Sequence, residues 1–215
     1  MKMKQKALST IAASALALGA LAPTAQAEDF EVSAAIGAAN MYYWRGIDLG
    51  GDTGAAAVFG DLSVSHSSGF YGGLWTSSGD AAAGTEYDIY FGYGTEIEGF
   101  GIDLSYATYI YPETEVKAGD VAEAILGLSY GPAFLTYHHG LEDLEDYYWY
   151  VNAGVNIGAF TVAYGLHEVD MDHIDLTYNY NDNVSFTVGQ VIDDVDGAFN
   201  DDTKFVVTFS LPIEF

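Results

Sequence analysis

The sequence predicts an all-β protein, a closed antiparallel transmembrane β-barrel of about twelve strands with short periplasmic turns and longer extracellular loops. Three observations carry this expectation. The chain ends on the alternating stripe Phe205, Val207, Phe209, Leu211, Ile213 and Phe215, which an extended strand places on one face. Short polar turns and longer acidic connections alternate along the chain, as the two ends of a membrane barrel require. At the other terminus, Lys2, Lys4 and Lys6 precede the alanine-rich run Ala7 to Ala22, then Pro23 and the small-x-small site Ala25-Gln26-Ala27. Residues 1–27 therefore read as a secretory signal peptide, and residues 28–215 as the barrel.

Period-two alternation recurs in order along the exported region. Phe30, Val32, Ala34 and Ile36 share a face, as do Val58, Leu62 and Val64, and a third strand covers Phe70 to Ser77. In the fourth, Tyr87, Ile89, Phe91, Tyr93 and Ile97 oppose Asp88, Tyr90, Gly92, Gly94 and Glu96. Ile102, Leu104, Tyr106 and Ile110 oppose Asp103, Ser105 and Ala107; Ala122, Ala124, Leu126, Leu128 and Tyr130 oppose Glu123, Gly127 and Ser129. A weaker strand spans Ala133 to His139. Tyr147, Trp149, Val151, Ala153 and Val155 then oppose Tyr148, Tyr150, Asn152, Gly154 and Asn156, and Phe160, Val162, Tyr164 and Leu166 oppose Thr161, Ala163, Gly165 and His167. Ile174, Leu176, Tyr178 and Tyr180 oppose His173, Asp175, Thr177 and Asn179; Val184, Phe186 and Val188 precede the terminal strand. Trp149, Tyr147, Tyr180 and Phe160 stand near strand ends, where interfacial aromatics gather.

The connections fall into two sets. Tight turns are expected at Ser67 to Gly69, Glu98 to Gly101, Gly131-Pro132, Gly158-Ala159 and Asn181 to Asn183. Longer ones are expected at Asn40 to Ala55, Ser78 to Glu86, Pro112 to Asp120, Gly140 to Asp146, Glu168 to Asp172 and Ile192 to Thr203. A soluble sandwich or lipocalin-like barrel shares the alternation but turns its apolar face inward. The orientation of the two faces decides between them.

Composition narrows the function. Removing residues 1–27 takes three of six basic residues and none of 31 acidic ones, so 3 minus 31 leaves a charge of −28. Arg45, Lys117 and Lys204 are the remaining cations, too few for a nucleic-acid partner, whose phosphates demand lysine and arginine. Half the chain is apolar and tyrosine is abundant, which separates it from acidic disordered chains. Cysteine is absent, so hydrogen-bond ladders and packing must hold the fold.

Several segments resemble the TorF family of proteobacterial porins across nearly all of the exported region. They are Met41-Tyr42-Tyr43-Trp44-Arg45-Gly46-Ile47, Ser68-Gly69-Phe70-Tyr71-Gly72-Gly73-Leu74-Trp75, Glu86-Tyr87-Asp88-Ile89-Tyr90-Phe91-Gly92-Tyr93, Tyr109-Ile110-Tyr111-Pro112 and Ser129-Tyr130-Gly131-Pro132. The resemblance implies an outer-membrane barrel with a pore role and brings no established catalytic or binding residues. The strong acidity departs from what an anion-preferring relative would carry.

These readings converge on an outer-membrane channel for passive diffusion of small hydrophilic solutes or ions, cation-preferring because of its acidic lumen. The pore-lining candidates are Asp61, Asp88, Tyr90, Asp103, Glu123, Tyr148, Tyr150, Asp175 and Arg45; Glu96, Glu214 and Lys204 share the polar face nearer its ends. Arg45, in the first long connection, either folds inward onto lumen carboxylates or pairs at the rim. Phe215 is the expected signal to the barrel-assembly machinery. Outer-membrane lipid and lipopolysaccharide are the expected surroundings, with no cofactor, no metal and a monomer as the default.

The alternative is a surface scaffold with a filled, non-conducting lumen, its acidity matched to a saline habitat. A lipid hydrolase would need a serine beside His138 or His139, and no such pairing is legible, so no enzyme is expected. The acidic run Asp193 to Asp202 lacks the final bidentate Glu of a calcium loop and reads as a solvated charge run. His167, Asp170, Asp172 and His173 have metal-ligating chemistry but read as surface residues.

Overall fold

The structure, a computed structural model, describes residues 29–51, 55–142, 144, 148–194, 197 and 199–215. The expected signal peptide lies outside the described residues, as does Tyr147 of the expected aromatic girdle. The strands are β1 (Phe30–Ala39), β2 (Tyr43–Trp44), β3 (Ile47–Asp48), β4 (Ala57–His66), β5 (Phe70–Asp80), β6 (Gly84–Ile97) and β7 (Phe100–Tyr111). They continue with β8 (Val116–Tyr130), β9 (Ala133–Glu142), β10 (Trp149–Ile157), β11 (Phe160–His167), β12 (Met171–Asn179), β13 (Val184–Asp194) and β14 (Lys204–Ile213). Twelve of them, all except β2 and β3, pair antiparallel with their neighbours and close into one barrel.

The seam joins β1 to β14, from Ala34 opposite Ile213 to Ala39 opposite Thr208. Asn40 extends it past the end of β1. Its side-chain amide donates to the Phe205 carbonyl at 2.9 Å and its Oδ1 accepts the Val207 N–H at 2.6 Å. At the opposite end Asn183 donates to the Ser210 carbonyl at 2.8 Å. Backbone groups that would otherwise end the ladder unpaired are thus occupied by carboxamides.

The alternating side chains resolve the question of orientation. Phe70 is 63% exposed and Leu104 61%, whereas Tyr90 is 4% exposed and Ala107 2%. The exterior is an aliphatic and aromatic surface, and the interior carries tyrosine, carboxylates, histidine and glycine. A soluble barrel would leave that exterior in water, whereas a bilayer solvates it, so this is the architecture of a membrane-spanning barrel.

The expected alternation of short and long connections is only partly present. Glu98-Gly99, with φ of 53° and 83°, makes the two-residue turn that matches strand twist. The connections expected at Ser78 to Glu86 and Glu168 to Asp172, however, shrink to residues 81–83 and 168–170, because the flanking strands run on past them. Alternation was read only as far as the apolar face lasts, while ladder hydrogen bonds continue beyond it. The connection Asn40 to Ala55 is not a plain loop either: it contains the hairpin β2–β3.

Candidate functional site

Local sequence explains why β2 and β3 form a hairpin. Tyr43 pairs with Asp48 and Trp44 with Ile47, leaving Arg45-Gly46 as a two-residue turn in which both φ angles are positive, 48° and 88°. Glycine adopts that conformation freely; Arg45 does so at a cost its contacts must offset. The Leu49 N–H closes the hairpin base on the Tyr42 carbonyl at 2.8 Å.

The hairpin folds into the barrel. The Arg45 guanidinium donates from Nη1 to Glu123 Oε1 and from Nη2 to Glu123 Oε2, both at 2.8 Å, the bidentate geometry in which arginine matches a carboxylate. It also hydrogen-bonds the Tyr148 hydroxyl and stacks 4.5 Å from the Trp44 ring centre and 4.8 Å from that of Tyr150. The His167 Nε2–H donates to the Arg45 carbonyl at 2.8 Å, and Tyr109 donates to Glu123 at 2.8 Å. His138 Nδ1 lies 2.9 Å from both Arg45 Nη2 and Glu123 Oε2, so it accepts from the former when unprotonated and donates to the latter when protonated.

Neighbouring loop residues anchor on other strands. Tyr42 donates to Glu86 of β6, and Tyr43 donates to Asp175 of β12 at 2.6 Å. Glycines in the wall make room: a Cβ on Gly189 would stand 2.0 Å from the Tyr43 hydroxyl, and one on Gly165 2.0 Å from His173 Nε2. His173 in turn stacks on Tyr150, with its Nε2 2.9 Å from the Tyr150 hydroxyl. Toward the short-turn end the interior carboxylates are half-buried. There Tyr90 donates to Asp61 at 2.8 Å, and Tyr71 spans both oxygens of Asp103 at 2.8 and 2.9 Å.

All nine candidate residues named from the sequence face the interior. Arg45, Glu123, Tyr148 and Tyr150 meet in the hairpin hub; Asp88 lies beside it on β6; Asp175 holds Tyr43; Asp61, Tyr90 and Asp103 form the lower pairs. Of the two placements weighed for Arg45, the structure has the inward one. Tyr42, Tyr43, Tyr71, Glu86, Trp75, Tyr109 and the histidines of the hub were missed as site residues. Continuing the two-residue period upward from Asp88 would have found Glu86; nothing local marks Tyr42 and Tyr43, which reach the lumen only because their loop folds in.

Two histidine readings change. His167 and His173 are buried interior side chains, not surface ones, while Asp170 is exposed and Asp172 bonds Tyr164 on the outer face. The barrel wall separates the two sets, so these four do not form one ligand cluster. His138 meets Arg45 and Glu123, not a serine, and His139 is exposed beside Tyr137 on the exterior. In the acidic run, residues 195, 196 and 198 lie outside the described residues; Asp194 accepts the Phe199 N–H at 2.7 Å, and Lys204 is held by Asn200 and by the Asp202 carbonyl. Phe215 follows β14 and is exposed.

Residues 24–209 match a family described as "Bacterial protein of unknown function (Gcw_chp)". The chain belongs to this family. Its description, not the TorF name expected from the sequence, is the one the match carries. No curated protein matches the sequence. Among solved structures, the chain is similar to a KdgM porin at 10% identity and a TM-score of 0.48, covering 85% of this chain and 99% of that one. A KdgM porin in complex with disordered oligogalacturonate gives 10% and 0.46, covering 86% and 99%. The outer membrane phospholipase (OMPLA) dimer of Salmonella typhi with bound calcium gives 10% and 0.40, covering 85% and 90%.

Proposed function

We propose that this protein is an outer-membrane channel of narrow bore that passes small cations in preference to anions, with the hairpin β2–β3 as its constriction. The apolar exterior supports the location, since only lipid solvates such a band. The observation that carries the selectivity is the charge of the interior. Asp61, Glu86, Asp88, Asp103, Glu123 and Asp175 face inward, whereas the inward cations among the described residues are two: Arg45, committed to Glu123, and Lys204 at the loop end of β14, held by Asn200 and the Asp202 carbonyl. Tyrosine hydroxyls, not bases, partner most of these acids. Phenol donors satisfy carboxylate oxygens without cancelling their charge, so the lumen keeps a negative potential that concentrates cations and repels anions.

Bore follows from the fill. Twelve strands enclose a space between that of filled eight-stranded barrels and open porins, and the inserted loop crosses it to bond with β6, β8 and β12. The dense packing of Glu123, Tyr150, Asn152 and His173 favours a second reading, a lumen closed at this level on a barrel that acts as a scaffold. Planar-bilayer recordings under a potassium chloride gradient separate the two. A reversal potential displaced toward that of K⁺ supports the channel; displacement toward that of Cl⁻ overturns it, and absence of unitary currents supports the closed scaffold.

A further inference from the structure

The carboxylates of Glu86 and Asp88 stand two residues apart on the inner face of β6, at 3% exposure each, within hydrogen-bonding reach of one another. Glu86 receives the Tyr42 hydroxyl from the inserted loop, and Tyr111 is also within reach. Asp88 Oδ1 is fully shielded and has no hydrogen-bond partner. Among the described residues the ion pairs are Arg45 with Glu123, His138 with Glu123 and His173 with Asp175, none of which involves this pair.

Two carboxyl groups in contact, out of water and without a base, do not both stay ionised unless a positive charge joins them. A proton shared between the two groups is the smallest such charge, and a dehydrated monovalent cation is the next. The surroundings suit a larger cation. Trp75 and Tyr109 are the cross-strand neighbours of Asp88 on β5 and β7, and Tyr42 covers the pair with its ring centre 6.2 Å from that of Trp75. Aromatic faces attract cations, and carboxylate and phenol oxygens are the ligands hard cations prefer. No group of three or more His, Cys, Asp or Glu able to hold a metal occurs among the described residues, and two carboxylates fall short of a divalent site.

We infer that Glu86 and Asp88, capped by Tyr42, form a binding site for a dehydrated monovalent cation inside the barrel. The inference rests on the cation-channel reading and deepens it: the site is a resting point for the permeant ion beside the hairpin hub. Occupancy draws Tyr42 and its loop onto β6, and exchange of the ion requires Tyr42 to lift.

The test uses the purified full-length protein in detergent. Its thermal midpoint is followed as K⁺ replaces N-methylglucamine at constant ionic strength and at several pH values. A saturable rise with K⁺ is expected, with apparent affinity about tenfold or more weaker in Asp88→Asn, which removes one of the two charges. Glu142→Gln, an exposed acid at the end of β9, should keep the wild-type response. No difference between K⁺ and N-methylglucamine in the wild type overturns the site and leaves a shared proton in its place; so does an unaltered response in Asp88→Asn. Should Asp88→Asn fail to fold, the wild-type comparison alone decides. A cation-selective channel without the K⁺ response removes the site but not the function, and an anion-selective channel with the response removes the function but not the site.

Discussion

The loop-end and turn-end halves of the lumen use the same residue types to different ends. Near the loops, Glu123 is 1% exposed and Tyr150 fully buried, because the hairpin brings Trp44, Arg45 and Gly46 against them. Near the turns, Asp61 and Asp103 are half-buried and bonded each to one tyrosine. A carboxylate among close neighbours is a structural anchor whose charge must be matched. The same group left half-exposed keeps its charge available to solutes. On the channel reading proposed above, the turn-end half would offer its charge to solutes and the loop-end half would set the bore.

Arg45→Ala breaks this comparison most severely. It strands Glu123 without its cation, which costs about 3–5 kcal/mol if the hairpin stays in place. Release of the hairpin relieves that cost, so the expected outcome is a lower thermal midpoint together with severalfold larger unitary conductance. Unchanged conductance would mean that the hairpin is not the constriction. Gly189→Val is next: its side chain would occupy the space of the Tyr43 hydroxyl, so the hairpin loosens with a loss on the order of 1–3 kcal/mol, seen in chemical denaturation.

The double substitution Asp61→Asn with Asp103→Asn sharpens the other side. Each tyrosine keeps an oxygen to donate to, so stability changes by about 1 kcal/mol or less, while the reversal potential moves toward zero. An unchanged reversal potential would shift selectivity to the hub. The smallest effect is expected for Glu96→Gln, which sits exposed toward the turn end of β6, and a modest fall in cation preference at low salt that vanishes at high salt is its signature.

Much of the fold was legible because a barrel repeats one rule. Phe30, Leu104, Phe160 and Phe205 each mark the outward face of their strand, and the period of two then assigns the neighbours without knowledge of the partner strand. That rule also placed Asp61, Asp88, Asp103, Glu123 and Asp175 on the inner face. It failed where apolar alternation stops but pairing continues, which is why the extensions of β5 and β6 around residues 81–83 were read as loop. It had nothing to offer for the connection holding Tyr42, Tyr43 and Arg45, whose partners lie on strands 44, 132 and 78 residues away in sequence.

By itself the amino-acid sequence determined the strand count, the two faces and the sign of the interior charge, since these follow from local periodicity and composition. Tertiary structure alone decided that the first long connection turns inward, which carboxylate takes the single arginine and which two are left to face each other. Those outcomes depend on distances across the closed barrel, and no local pattern encodes a distance between residues that meet only once the sheet has curled.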